Sequence, residues 1–426
     1  MGTGPIEELG AAEAIVLLQS GALTAEGLVR ACLDRIARDE PKIQAWAWLD
    51  PDQAIAAARA VDAGPGRPPL YGLPVGIKDI IDTADAPTEC GTPLYLGRRP
   101  TRDAACVAAL RAGGAVVLGK TVTTELAFFA PGPTRNPRNP AHTPGGSSSG
   151  SAAAVADCMV PAALGTQTAG SVIRPAAYCG VVGFKPSHDL LSLQGVLPFA
   201  PSLDTLGVFV RQVVDVAPLL AGLGAPVEVR ELSRAPRIGL WRSAQWSRAT
   251  PVMQRRLEDV AATLAEAGAT VREVDPLPDE ALVAEGQALV MAAEAVSSFG
   301  SLRKSGALGA LSPKLTELLD RGVAALPEEV QVAKVRAGQA RTAATKVLAD
   351  LDVLLTPSAP GEAPEGLAST GDPVFNRVVT MLGFPCISLP AGTGPAGLPL
   401  GVQLVGAPRA ESALLAVASW VESRLG

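Results

Sequence analysis

The chain has 426 residues, 42 of them acidic against 36 lysines and arginines, for a net charge of −6 at pH 7. This balance argues against a nucleic-acid backbone as the main partner, because phosphate binding needs clustered cations. With 48% hydrophobic and 18% charged residues and no long charge block, the composition excludes a disordered chain and fits one large core or several smaller ones.

Residues 1–10 carry acid rather than the basic flank of a secretory signal. Ile6 stands where a myristoylation motif requires Ser or Thr, and no apolar run is long enough for a bilayer. The expectation is a cytoplasmic protein without membrane contact. The six cysteines lie far apart without a C-x-x-C pair, and His142 and His188 are the only histidines. A disulfide framework, a metal centre and a bound cofactor are therefore not expected.

Two helices open the chain over about 6–40. The second starts at Thr24 as N-cap, carries Leu28, Cys32 and Ile36 on one stripe, and is expected to stop at Pro41. A Gly/Pro-rich stretch, 63–74, leads into an apolar strand, 74–78. Asp103 is expected to cap a short Ala-rich helix that ends at Gly113 and Gly114, with a buried strand at 115–118. Residues 114–121, GAVVLGKT, match the G-x-x-x-x-G-K-[ST] string of phosphate-binding loops. In such a loop the x positions form a turn with free N–H groups. Here they would be the strand itself, with its N–H groups committed to a sheet, so nucleotide binding is not expected.

Further on, 237–241 reads as a strand. Thr250 and Pro251 fit the N-cap and first position of a helix with Met253, Leu257, Val260 and Leu264 on one face and Gly268 at its end. Another strand begins at Ala269. Residues 277–348 read as mostly helical, a flap over one side. Short apolar runs at 353–355, 386–389 and 401–405 precede a closing helix from about Ala410. Strands alternating with helices imply an α/β layer fold.

The most informative stretch is 145–175, GGSSSGSAAAVADCMVPAALGTQTAGSVIRP. A Gly/Ser cluster is followed by an Ala-rich helix from near Ser151 and by a second tight loop ending at Ser171. A flexible linker has no need of an apolar helix between its loops.

This stretch resembles the signature of the amidase signature family, whose members use a Ser–cisSer–Lys triad. Ser147 precedes Ser171 by 24 positions, the family spacing. Residues 72–79, GLPVGIKD, resemble the family's lysine motif, and 202–207, 355–357 and 398–403 resemble further family segments. The likeness extends from about residue 8 to 424. It implies one amidase domain over 1–426 with its signature core at about 70–215. The implied α/β fold is a large twisted mixed sheet covered by helices on both faces.

The resemblance also implies roles. Ser171 is the nucleophile, Ser147 the proton relay across a cis Gly146–Ser147 bond, and Lys78 the base. Backbone N–H groups of Gln167, Thr168, Ala169 and Gly170 form the oxyanion hole. The chemistry is coherent, since a serine hydroxyl is a poor nucleophile until a base takes its proton. His142, within the same loop region, is not excluded as that base by position alone. Lys78, however, ends an apolar strand, where burial can bring a lysine amine down towards neutrality.

Three departures bear on substrate. Gln167 replaces the family's usual acid, Ala169 replaces a glycine, and Arg174 is displaced by one residue from the usual S-I-R-x-P pattern. The resulting string resembles the malonamidase branch, which acts on small amides carrying a carboxylate. Arg174 is then either a carboxylate clamp, suited by its fork of donors, or a brace held by an internal ion pair. Glu125, Arg135, Asn136, Arg138 and His142 are expected to border the pocket or to lie on a solvated loop. Asn139 and Pro140 read as a structural turn and Asp204 as a structural hydrogen-bonding residue.

The function implied is an amidohydrolase cleaving the C–N bond of a small amide through an acyl-Ser171 intermediate, with a carboxylate-bearing amide as the narrower expectation. Family analogy allows a homodimer. Two alternatives stand beside it. One is the triad-bearing component of a glutamyl-tRNA(Gln) amidotransferase, which needs partner chains and keeps the acid that is Gln167 here. The other is a catalytically silent amidase-like scaffold.

Overall fold

Eleven strands, most of them buried and apolar, set the frame: β1 (Trp46–Leu49), β2 (Pro74–Lys78), β3 (Val116–Thr121), β4 (Ala162–Gln167), β5 (Val182–Lys185), β6 (Thr205–Val210), β7 (Arg237–Trp241), β8 (Thr270–Val274), β9 (Val353–Pro357), β10 (Cys386–Thr393) and β11 (Pro399–Val405) among the described residues. The computed structural model describes residues 4–300, 302 and 307–425. Among these residues the strands pair into one sheet of order β1-β3-β2-β4-β6-β5-β10-β11-β9-β7-β8. The sheet is mixed: β3-β2-β4 and β9-β7-β8 run parallel, and the remaining neighbours are antiparallel. β2, β3 and β4 are buried along their whole length. Both faces are covered there, which is why these strands read as continuous apolar runs rather than alternating ones.

The helix Ser149–Ala156 explains the Ser/Ala composition of the signature. Every one of its residues is buried. Its hydroxyls are satisfied locally: Ser151 Oγ donates to Leu164 O at 2.8 Å, and Ser149 Oγ reaches Val122 O at 3.3 Å. A Cβ on Gly150 would lie 2.2 Å from Ala45 O and 2.3 Å from Val122 N, so only glycine lets this helix come so close to the chain beside β1 and β3.

Most expected elements are present. Thr24 caps the helix Ala25–Ile43 by accepting from Gly27 N, and Thr250 caps Pro251–Glu266 by accepting from Met253 N. The segment resembling a phosphate loop is β3 and its approach, with Lys120 fully buried. The helices Glu280–Ser298, Pro313–Ala324 and Pro327–Ala349 fill the expected helical region.

Two expectations fail. Pro41 does not stop its helix, which runs on to Ile43; the proline gives up its own bond to the carbonyl four residues back, and only two residues of helix follow it. Asp103 does not cap the helix Ala105–Ala112, whose N-cap is Ala104. Its carboxylate instead accepts from Ala84 N at 2.8 Å and pairs with Arg111 at 3.1 Å.

Candidate active site

β2 and β4 are parallel neighbours, so their C-terminal ends emerge side by side and place Lys78 close to Thr166. Lys78 is fully buried, and its Nζ donates to Ser147 Oγ at 2.7 Å and to Thr166 Oγ1 at 2.9 Å. Burial pulls its pKa down to about 7, opposed by the nearby negative charge of Asp204. No carboxylate among the described residues lies within ion-pair distance of Nζ, so little offsets that desolvation.

Ser147 follows a cis Gly146–Ser147 bond, and Gly145 before it takes φ +83°. Ser147 O accepts from Thr124 N at 3.2 Å, and Ser148 Oγ bonds Thr166 O at 3.3 Å, which fixes the loop to β3 and β4.

After β4 the chain turns through 168–172 into the short helix Ile173–Cys179. Three side chains hold this turn by its carbonyls and by the N–H groups beyond Ser171. Gln167 Oε1 accepts from Val172 N at 2.9 Å and Ile173 N at 3.1 Å. Gln287 Nε2 donates to Thr168 O at 2.8 Å, and Thr380 Oγ1 donates to Ala169 O at 2.7 Å. The N–H groups of Thr168, Ala169, Gly170 and Ser171 find no acceptor among the described residues. Unpaired backbone donors at a cleft suit an anionic oxygen.

Ser147, Thr168, Ala169, Ser171 and Arg174 line one narrow cleft of about 10 Å³, together with Phe128, Phe129, Phe199, Met291 and Thr370. The rings pack on one another, Phe128 stacking on Phe199 with centroids 5.5 Å apart. Met291 comes from the helix Glu280–Ser298, so the helical region does wall the cleft.

Arg174 is buried and has no internal ion pair among the described residues, so whatever bracing it does runs through hydrogen bonds rather than the ion pair expected of a brace. Its Nη2 donates to Gly146 O at 2.6 Å and to Thr370 Oγ1 at 3.2 Å. Its Nε and Nη1 are buried with no hydrogen-bond partner, and its guanidinium lies 5.6 Å from the Phe129 ring centroid. Burial lowers its pKa to about 10.

Glu125, Arg135, Asn136, Arg138 and His142 do not line the cleft. Their hydrogen bonds go to backbone away from the cleft: Glu125 accepts from Ser312 N, Asn136 Nδ2 donates to Thr143 O and Tyr178 O, and His142 Nδ1 meets Ala363 O at 2.8 Å. Arg135 and Arg138 donate to Pro140 O and Cys179 O. The Asn139 side chain closes its turn on Ala141 N. Asp204 is structural as expected, accepting from Thr168 Oγ1, Phe199 N and Ala200 N, with its pKa raised by burial.

Sequence reasoning assigns no role to Thr166, although it lies inside the signature stretch. Phe128, Phe129, Phe199, Met291 and Thr370 carry no local signal and meet only through the fold.

The family model described as Amidase matches residues 27–415, and the chain belongs to that family. It is a hydrolase of amide C–N bonds. A glutamyl-tRNA(Gln) amidotransferase subunit from Chloroflexus aggregans is 33% identical, over 94% of this chain and 93% of that protein. A crystal structure described as an amidase aligns at TM-score 0.90 with 32% identity, covering 98% of this chain and 100% of the other. Native peptide amidase from Stenotrophomonas maltophilia aligns at TM-score 0.83 with 29% identity, covering 99% and 98%. No helix among the described residues is long and apolar enough to cross a membrane.

Proposed function

We propose that this chain hydrolyses a small amide through Ser171, Ser147 and Lys78. The observation that carries the reading is the 2.7 Å contact of buried Lys78 with Ser147, beside a cleft that Ser147 and Ser171 both line. Neutral Lys78 takes the Ser147 proton as Ser147 takes that of Ser171, and Ser171 Oγ bonds to the amide carbon. The oxyanion sits against the free N–H groups of Thr168, Ala169 and Gly170, with that of Ser171 in place of Gln167, which lies in β4 opposite Thr205. The C–N bond then breaks as the amine receives a proton back from Lys78 through Ser147. Water repeats the sequence on the acyl-Ser171 ester, releasing the acid and restoring the serine.

The narrower reading, shared with the malonamidase branch, is an amide that carries a carboxylate bound by Arg174. Two unpartnered guanidinium donors on a cleft-lining side chain support it. Nε and Nη1 face opposite sides of the guanidinium, so each offers a carboxylate oxygen one charge-assisted hydrogen bond, while Nη2 stays with Gly146 O and Thr370 Oγ1.

The test is ammonia release from a panel of malonamate, aliphatic amides, aryl amides and glutamine, together with fluorophosphonate labelling read by mass spectrometry. Turnover with the label on Ser171 is expected. No turnover and no label would sink the reading and leave the silent scaffold.

A second reading, one component of a glutamyl-tRNA(Gln) amidotransferase, draws on the relatives that carry that name. It predicts co-purifying partner chains and glutaminase activity that depends on them. The neutral Gln167, where that component keeps an acid, weighs against it.

A further inference from the structure

Beside the cleft lies a second, open chamber of about 350 Å³, and Phe128, Phe129 and Met291 line both spaces. Lys314, Arg321 and Arg377 line the outer chamber against one acid, Glu317. None of the three cations has a carboxylate within ion-pair distance among the described residues. Lys314 Nζ donates to Ala368 O at 3.0 Å, and Arg377 Nη1 donates to Gln287 Oε1 at 2.7 Å. The nearby Asp372 is engaged by Arg248 at 2.7 Å.

The cations form a series from rim to floor. Lys314 and Arg321 are exposed, Arg377 is half-buried and Arg174 is buried. Burial lowers the pKa of both Arg377 and Arg174; on Arg377 the attraction of Asp372 opposes this and Arg321 adds a smaller repulsion, while on Arg174 the Tyr178 side chain opposes it and Arg377 adds repulsion. Mutually repelling charges without partners are unfavourable unless an anion joins them. The surrounding walls, Phe128, Phe129, Met291 and Leu318, are apolar and concentrate the field. This occurs in a protein whose net charge is −6, so the local sign is opposite to the overall one.

We propose that the outer chamber is an anion subsite, so that the substrate carries a second acidic group besides the one facing Arg174. The proposal rests on the amidohydrolase reading and narrows it to amides of a polycarboxylic acid. The amide carbon lies at Ser171, one carboxylate at Arg174, and the second extends past Phe129 towards Arg377 and Arg321.

The experiment compares competitive inhibition by propane-1,2,3-tricarboxylate and by succinate, read on whichever amide of the panel turns over. At about 0.02 M salt the tricarboxylate is expected to bind at least about tenfold more tightly. That preference should shrink about threefold in Arg321→Glu, and separately about threefold in the wild type at about 0.5 M salt, through KM and Ki rather than kcat. Arg377→Gln, which keeps a hydrogen-bonding side chain, should weaken it further. Equal inhibition by the two acids overturns the proposal, as does a preference that survives Arg321→Glu. Absence of turnover on every amide with no Ser171 label overturns the amidohydrolase reading itself and takes this proposal with it.

Discussion

Gln167 and Thr380 are joined by a hydrogen bond of 3.0 Å from Nε2 to Oγ1, and Thr380 passes its own proton to Ala169 O at 2.7 Å. With the two bonds that Gln167 Oε1 accepts from Val172 N and Ile173 N, this closes a ring around the Ser171 loop. The amide does what a carboxylate does not, accepting on one side and donating on the other.

Gln167→Glu therefore loses the bond to Thr380, or turns the Thr380 proton away from Ala169. The expected result is a fall in kcat of about tenfold or more at pH 8 with little change in KM. The buried glutamate regains the donor once protonated, so the ratio of variant to wild-type kcat should rise as pH falls. A flat ratio across pH would show that the ring does not position the loop.

Ser171→Ala should lower kcat on the order of 10⁴-fold or more on any accepted amide, while the substrate still binds. Single-turnover kinetics and equilibrium binding separate the two. Residual activity within about tenfold of wild type would move the nucleophile elsewhere.

Arg174→Ala should cost a carboxylate-bearing amide at least about tenfold more in kcat/KM than a neutral amide of similar size. Both will lose something, because Arg174 Nη2 also holds Gly146 O beside Ser147. Arg174→Lys, which keeps the charge but not both the Gly146 bond and the two outward donors, should fall between the two. Equal losses on both amides would make Arg174 a brace for the Gly146 loop alone.

Gly150→Ala tests the packing that presents Ser147. The added methyl would meet backbone atoms at 2.2 and 2.3 Å, and neither Ala45 O nor Val122 N belongs to a side chain that can swing away. Overpacking of this kind costs about 1–3 kcal/mol or more, measurable by chemical denaturation. An unchanged midpoint would mean that the helix Ser149–Ala156 shifts at no cost.

The sheet and the triad are legible in the sequence for different reasons. β2, β7 and the helix Pro251–Glu266 announce themselves through apolar runs, caps and a 3.6-residue stripe. β1 is only four residues long and pairs at the sheet edge, so its pattern is too short to read. The helix Pro51–Ala63, absent from the expected elements, does carry a signal in Asp50 as N-cap and Pro51 at its first position. At the site, the serine spacing points to Ser147 and Ser171 together, and both line one cleft. Glu125, Asn136 and His142 stay out of it because closeness in sequence to a signature loop does not set the direction of a side chain. Thr370 and Met291 lie far along the chain from Ser171 and reach its cleft only through the fold, Met291 on the helix whose Gln287 holds Thr168 O.

Lys78 ties activity to pH in a defined direction. The working form is the free amine, and the folded pKa is lowered to about 7 by burial. Activity should thus rise as pH passes upward through about 7 and level off above it. Lys78→Arg, charged throughout that range, should lose nearly all turnover. Stability should follow the same group. Below pH 7 both folded and unfolded chains hold the Lys78 proton; above it the unfolded chain holds more, so stability rises with pH up to the unfolded value near 10.5. Replacing the amine with an apolar chain removes this contribution. The Tm of Lys78→Met relative to wild type should therefore be higher at pH 6 than at pH 9. If that difference is independent of pH, Lys78 keeps its proton in the folded protein and is not the base.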